Sequence, residues 1–423
     1  MKIDNKRLFV FIISISLFII GFIFNEDSSG GGKLDFELHE WGNFLKFKSG
    51  IIDSLTSIEY ESSRMPLFLI INAFNPFDYN QYFYRLSNFI FNFLILIAFY
   101  ISIRSFKQFS NNDAIILTSI FMFSPYFRTS SYWAHQENLP FLFLFLSIFF
   151  FNYFKLNTFE KQNYFYKVLT LAILSSLSFY SDQKFIFLSF SFFLVLVISL
   201  NSISHQIKVF LIFFITSIPA LYLFYIWKGI LPIESQFRLG IYFENLSYAI
   251  SIIIFYFLPI LIHTIKKKIL KDIIFDKKSY FFFIVILTIN ILFIPNFDET
   301  WGNGVISKVF YFLKNTLGIN LLLLKIIYFF YIQFGSLLIF FILKKNIKNL
   351  LPFLTLILVS LIVEKTYNEY FDPLMFVLIF FYFNFEKYII INKRKYINTY
   401  FLFYFILLSG ANIYYKFYNL NLP

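Results

Sequence analysis

The chain has 423 residues, of which 59% are hydrophobic and 14% charged, with a formal net charge of +12 and no cysteine. A charged fraction so far below the ~25% usual for soluble domains excludes an ordinary soluble enzyme, and the lack of cysteine excludes disulfides, thiolate metal sites and cysteine nucleophiles. The positive charge does not point to nucleic acid, because Lys and Arg sit mainly in short intervals between apolar runs, where the positive-inside rule puts them.

Those apolar runs recur from end to end, most of them near the length that crosses a hydrocarbon core of about 30 Å, with several shorter runs in 114–200. They predict thirteen spans, at 7–24, 86–104, 114–127, 139–154, 168–181, 184–200, 208–227, 246–264, 279–296, 319–343, 350–364, 374–390 and 396–415. The fold class is therefore an all-α polytopic membrane protein, read as a single transmembrane domain over 1–423. The first span follows Lys2, Lys6 and Arg7 and runs into NEDSSGGG rather than a small-residue cleavage site, so it reads as a retained helix. Next comes the longest polar interval, 33–66, with six carboxylates: Asp35, Glu37, Glu40, Asp53, Glu59 and Glu61. The apolar piece 66–73 is too short to cross and reads as a re-entrant or interfacial helix. Further polar intervals are 126–138, the Asp182-Gln183-Lys184 turn, 228–245 and 298–318. Within the last, Ile306, Phe310, Leu313 and Leu317 recur at the spacing of an interfacial amphipathic helix.

With the N-terminus inside, the cytoplasmic segments hold 22 of the 36 Lys and Arg but only 6 of the 24 acids. The opposite orientation would invert the rule. The first loop then faces outward, into the periplasm of a double-membrane bacterium or an organelle lumen, and the expected location is a bacterial inner (cell) membrane with the N-terminus cytoplasmic and the active site outside.

Candidate chemistry concentrates in the outward intervals. Asp35, Glu37 and Glu40 lie within six residues of one another, beside His39 and Trp41. A carboxylate there can take a proton from an attacking hydroxyl, and an aromatic face can stack on a sugar ring. The bland reading is that loops are polar and acids avoid the cytoplasmic side. Glu137 stands where a span re-enters the membrane, as a functional acid or as a favourable charge at a helix N-terminus. His135 is nearby, but the chain has only four histidines and a multi-histidine metal site is not expected. Lys184, with Arg128 and Arg238, has the chemistry to neutralise a lipid-linked phosphate; the alternative for the 182–184 segment is a plain helix–helix turn. Glu364 to Asp372 adds acids and aromatics on the same side, as an acceptor site or an interfacial belt.

The order of these features resembles the GT-C superfamily of integral-membrane glycosyltransferases, in particular bacterial relatives of the dolichyl-phosphate-mannose protein mannosyltransferases. Those families open with one span and an outward loop that begins on an acidic pair and ends on Gly; here the loop is DFELHEWGNFLKFKSG, Asp35 to Gly50. A Pro-Pro-Leu-Tyr-like helix start corresponds to MPLFLIINAF, with Met65 for the first proline. An Arg-Leu opening the second span corresponds to Arg85-Leu86, a Ser-Pro before an acid to Ser124-Pro125 and Glu137, and a Thr-Lys-like element to Gln183-Lys184. Two departures stand out: Phe36 breaks the acidic pair, and the second acid is Glu137 where the family usually has Asp. The match covers 1–200.

The resemblance implies a GT-C-like N-terminal module, 1–200, with juxtamembrane helices in a catalytic loop, 25–65, followed by variable helices over 201–423. It implies transfer of a hexose or pentose from a polyprenyl-phosphate-linked donor to a glycan, lipid or protein acceptor in contact with membrane lipid. Asp35 would be the general base, with Glu37 and Glu40 as alternatives and Glu137 positioning acceptor or cation. His39, Trp41 and His135 would contact the sugar or acceptor. No cofactor is implied beyond a divalent cation, whose requirement stays open. Two other classes compete. A polysaccharide polymerase or ligase carries its main polar loop late in the chain, and a transporter or lipid flippase shows internal repeats and mid-membrane charges. Here the largest loop comes first, no repeat is evident, and Lys325 is the clearest charge inside a span.

Overall fold

Lipid offers the backbone no hydrogen-bond partner, so a spanning chain must satisfy its own amides. The computed structural model meets this condition with helices alone: about 81% of the described residues are helical and none is in a strand. The described residues are 4–27, 31–56, 64–156, 163–238, 240–264, 276–298, 304–343, 356–358, 360–362, 364–366, 370–382, 399, 401–407 and 409–410. Among them, five helices are long and apolar enough to cross a membrane: Asn5–Ile23, Gln81–Ser105, Ile203–Trp227, Glu244–Leu261 and Leu321–Phe341. The other predicted spans are shorter helices or fall partly outside the described residues, as 350–364, 374–390 and 396–415 do.

The chain divides into two compact units, 1–237 with 405–423, and 238–404. The first unit begins with α1 (Asn5–Ile23). The first loop then folds as α2 (Gly32–Asp35), a π-helical turn over Phe36–Glu40, α3 (Trp41–Ser49) and α4 (Ile51–Thr56). Glu59 and Glu61 lie outside the described residues. The expected interfacial piece is helical as α5 (Leu67–Ala73), followed by α6 (Gln81–Ser105).

The run read as one span at 114–127 is two helices, α7 (Asn111–Phe121) and α8 (Pro125–Tyr132). Pro125 lacks the N–H that would continue α7 and disfavours helical geometry at the residue before it. Ser124 turns that break into a new start, its hydroxyl accepting from the Phe127 amide at 3.2 Å. The unit continues with α9 (Leu139–Tyr153), α10 (Tyr164–Ser181), α11 (Ile186–Ser199) and α12 (Ile203–Trp227). α9 packs on α6 and α10, α12 on α10, and α1 on α7. Aromatic rings lock the N-terminal end together. Phe18 of α1 lies 5.2 Å from Phe89 of α6 and 5.7 Å from Phe127 of α8, and Phe22 stacks on Phe89 at 4.4 Å.

In the second unit, α13 (Glu244–Thr264) packs against α14 (Lys277–Leu292), α15 (Gly304–Asn315), α16 (Leu321–Leu343) and α17 (Leu374–Tyr382). α15 corresponds to the amphipathic segment expected near 306–317. It buries Phe310 against Phe297 at 4.9 Å and Tyr328 at 5.6 Å. The Ser247 and Tyr328 hydroxyls meet at 3.0 Å, which pairs two buried polar groups across α13 and α16.

Candidate functional site

Four stretches far apart in sequence converge in the first unit. The first follows α8. Ala134 adopts φ +51°, a left-handed conformation that L-residues seldom visit. The turn closes with the His135 amide donating to the Ser130 carbonyl at 3.1 Å, and residues Gln136–Asn138 form a 3-10 turn leading into α9. The second is the 182–184 turn, where the Asp182 carboxylate accepts from the Lys184 amide at 3.0 Å. The third is Arg64-Met65, tied to that turn by the Met65 amide donating to Gln183 Oε1 at 3.2 Å.

The fourth is the head of the first loop. Asp27 accepts from the amides of Gly32 and Lys33 at 3.1 and 3.2 Å, fixing where the loop helix starts. His135 Nε2 donates to the Gly32 carbonyl at 2.8 Å, and Gln136 Nε2 donates to Glu40 Oε2 at 2.9 Å. Gly32 is required for this approach: a Cβ there would stand 2.1 Å from Thr129 Cγ2. The π-helical turn brings Glu40 onto the inner face. π-turns are rare and recur at functional sites.

At the centre, Glu137 ion-pairs with Arg64 through Oε1. Its Oε2 lies 3.5 Å from His135 Nδ1 and accepts from the Ser130 hydroxyl at 3.4 Å. Arg64 Nε is 3.6 Å from Asp182 Oδ2, which Lys184 Nζ meets at 3.0 Å. Glu40, Glu137 and Lys184 are each 8% exposed, His135 6% and Asp182 5%. Charges so deeply buried hold only when paired.

The pairing shapes the protonation of the group. Burial alone would neutralise His135. The charge and hydrogen bond of Glu137, with Glu40 and the Gly32 carbonyl, outweigh it and hold the imidazolium up to about 10. Burial likewise opposes ionisation of Glu137, but Arg64 first, then His135 and Lys184, hold its carboxyl well below the usual range. Glu40 is raised, chiefly by burial and further by Glu137, against His135, Arg64 and the Gln136 bond. Asp35 is raised by burial of its carboxyl, although the residue remains solvent-accessible; it feels the charges of His135, Glu137 and Arg64. Three basic side chains, Arg64, His135 and Lys184, thus meet the ion-paired carboxylates of Glu137 and Asp182, with Glu40 and Asp35 beside them.

Of the residues expected at the site, Glu40, His135, Glu137 and Lys184 come together, and Asp35 lies within their field. Glu37 is exposed and 3.8 Å from Lys33; His39 is also exposed. Trp41 packs among Phe36, Phe44 and Tyr84, with ring centroids 6.2, 5.3 and 5.5 Å away. Arg128 turns to Glu26, donating through Nε at 2.7 Å and Nη2 at 2.5 Å, and to the Leu17 carbonyl at 3.2 Å. Gly21 makes room for that pair, since a Cβ there would meet Glu26 Oε2 at 2.6 Å and Arg128 Nη2 at 2.7 Å. The Arg238 side chain lies outside the described residues.

Sequence reasoning missed Arg64, Asp182, Gln136 and Ser130. A signal existed for two of them. Arg64 is a cation in an interval rich in acids, directly before the Met65-Pro66 helix start, and Asp182 shares a three-residue turn with Lys184. No family model, no curated protein and no solved structure matches this chain.

Proposed function

We propose that the chain is a membrane glycosyltransferase that moves a sugar from a polyprenyl-phosphate donor to a hydroxyl of a glycan, lipid or protein acceptor on the non-cytoplasmic face. The observation that carries this reading is the convergence of Arg64, Lys184 and His135 beside an acidic helical loop. Cations held in a low-dielectric setting are what a departing lipid phosphate needs.

Asp35 serves as the base, because it combines solvent access with a carboxyl raised toward the working pH. It takes the proton of the acceptor hydroxyl, the oxygen attacks the anomeric carbon, and the bond from that carbon to the phosphate oxygen breaks. The electron pair leaves on the phosphate, where Lys184 and Arg64 meet the developing charge. Attack from the opposite face inverts the anomeric centre. Glu137 is committed to Arg64 and His135, so its part is to hold the cations in place, and Glu40 braces the loop through Gln136. Arg128, occupied by Glu26, has no part in this scheme.

The test uses proteoliposomes, undecaprenyl-phosphate donors carrying radiolabelled hexoses and pentoses, mixed glycan and lipid acceptors, and arms with and without EDTA. Wild type transfers label from at least one donor, Asp35→Asn loses on the order of 10²–10⁴-fold in rate, and Glu37→Gln stays near wild type. Normal turnover in Asp35→Asn, Glu40→Gln and Glu137→Gln alike contradicts the reading.

A further inference from the structure

A residue outside the ion-paired group contacts the start of the turn that delivers His135 and Glu137. Arg85, in the second turn of α6, is 8% exposed. Its Nε donates to the Tyr132 carbonyl at 2.7 Å and its Nη2 to Asn25 Oδ1 at 2.9 Å. The guanidinium carbon lies 3.6 Å from the centroid of the Trp133 ring, whose indole N–H donates to the Glu26 carbonyl at 3.0 Å. Tyr132 ends α8, and its carbonyl is among those a helix C-terminus leaves without an intrahelical partner, where a cation is favoured. The next residues are Trp133, which Arg85 covers, the left-handed Ala134, and then His135.

We infer that Arg85 is a positioning residue: it clamps the end of α8 and the Trp133 indole, and so sets where the 133–137 turn presents His135 and Glu137. The clamp uses three properties at once: an Nε donor to a carbonyl, a second donor to an amide oxygen, and a flat face on an indole. Lysine supplies a single point charge and cannot satisfy all three. The His135 amide bond to Ser130 and the His135 bond to Gly32 hold the far side of the turn, and Arg85 holds its near side, where Ala134 adopts a conformation that a free chain would leave. Loss of the clamp therefore moves His135 relative to Glu137 while leaving the helices in place. The catalytic consequence rests on the transferase reading; the geometric one does not.

Two readouts separate these. The first is histidine-selective 13C NMR of detergent-solubilised protein, following His135 among the four histidines after assignment by His135→Gln. The second is donor turnover in proteoliposomes. In Arg85→Lys, with helicity and thermal midpoint close to wild type, the His135 titration midpoint falls by about one pH unit or more as its contact with Glu137 loosens. The same variant loses on the order of 10- to 100-fold in kcat with donor KM little changed. Trp133→Phe, which drops the indole donor, gives a smaller shift in the same direction and stands in if Arg85→Lys does not fold. An unmoved His135 titration in whichever variant folds overturns the inference. A moved titration in a protein with no transfer from any donor upholds the clamp and removes the transferase reading.

Discussion

At the residue scale, the buried ions govern both stability and pH response. Glu137→Gln leaves Arg64 and His135 facing a neutral amide, and breaking a buried pair this way costs about 3–5 kcal/mol; thermal denaturation in detergent measures it. His135 has its titration raised from 6.5 to about 10. A raised base contributes stability that is fully present below its unfolded value and is lost as pH rises through its folded value. The stability gap between wild type and His135→Gln is therefore widest below pH 6.5 and closes as pH approaches 10. A gap that widens toward alkaline pH contradicts the pairing. Ala134 supplies a backbone prediction. Glycine tolerates φ +51° and valine does not, so Ala134→Gly stays within about 1 kcal/mol of wild type while Ala134→Val loses about 2 kcal/mol or more. The charges that decide this chemistry were only half legible in the chain. Glu137, His135 and Lys184 stand out because each interrupts apolar sequence at a span end. Arg64 does not, because it looks like one more polar residue in a polar loop, and only the tertiary fold carries it to Glu137.

At the element scale, helix starts and stops put the site where it is. Ser124 caps α8 and Pro125 begins it, and Ser124→Ala removes the acceptor for the Phe127 amide at a cost of about 1 kcal/mol, read as a lower thermal midpoint. Among the described residues, apolar periodicity located the five long helices because their apolar runs are long and polar punctuation is sparse. It merged α7 and α8 because the apolar pattern continues through Phe121, Met122 and Phe123 up to the Ser-Pro break. It could not show that residues 36–40 wind as a π-turn, since one extra residue per turn leaves no mark in hydropathy. That turn decides which acid of the first loop faces inward: Glu40 is buried while Glu37 and His39 are exposed. In the sequence, Asp35 stands as the expected base with Glu37 and Glu40 as alternatives, because Phe36 breaks the acidic pair and hydropathy does not show which acid the winding turns inward.

At the scale of the whole molecule, the five long apolar helices explain why so much hydrophobic surface stays exposed, as along α12 at Phe210, Phe214, Ile218 and Leu221. The charge asymmetry predicts a direction for them. The natural absence of cysteine makes that direction measurable with single substitutions: Gly42→Cys reacts with a membrane-impermeant maleimide in intact spheroplasts, and Asn201→Cys reacts only after permeabilisation. The reverse pattern would put the first loop inside and remove the outward-facing reaction. Most direct for the central claim is the release of polyprenyl phosphate from a labelled donor by wild-type proteoliposomes and by the Arg64→Met, Lys184→Met double variant. Stoichiometric release with sugar transfer in wild type, falling by at least two orders of magnitude in the double variant, is the outcome the proposed transfer predicts. Equal release by both proteins, or none by wild type from any hexose or pentose donor, would contradict it.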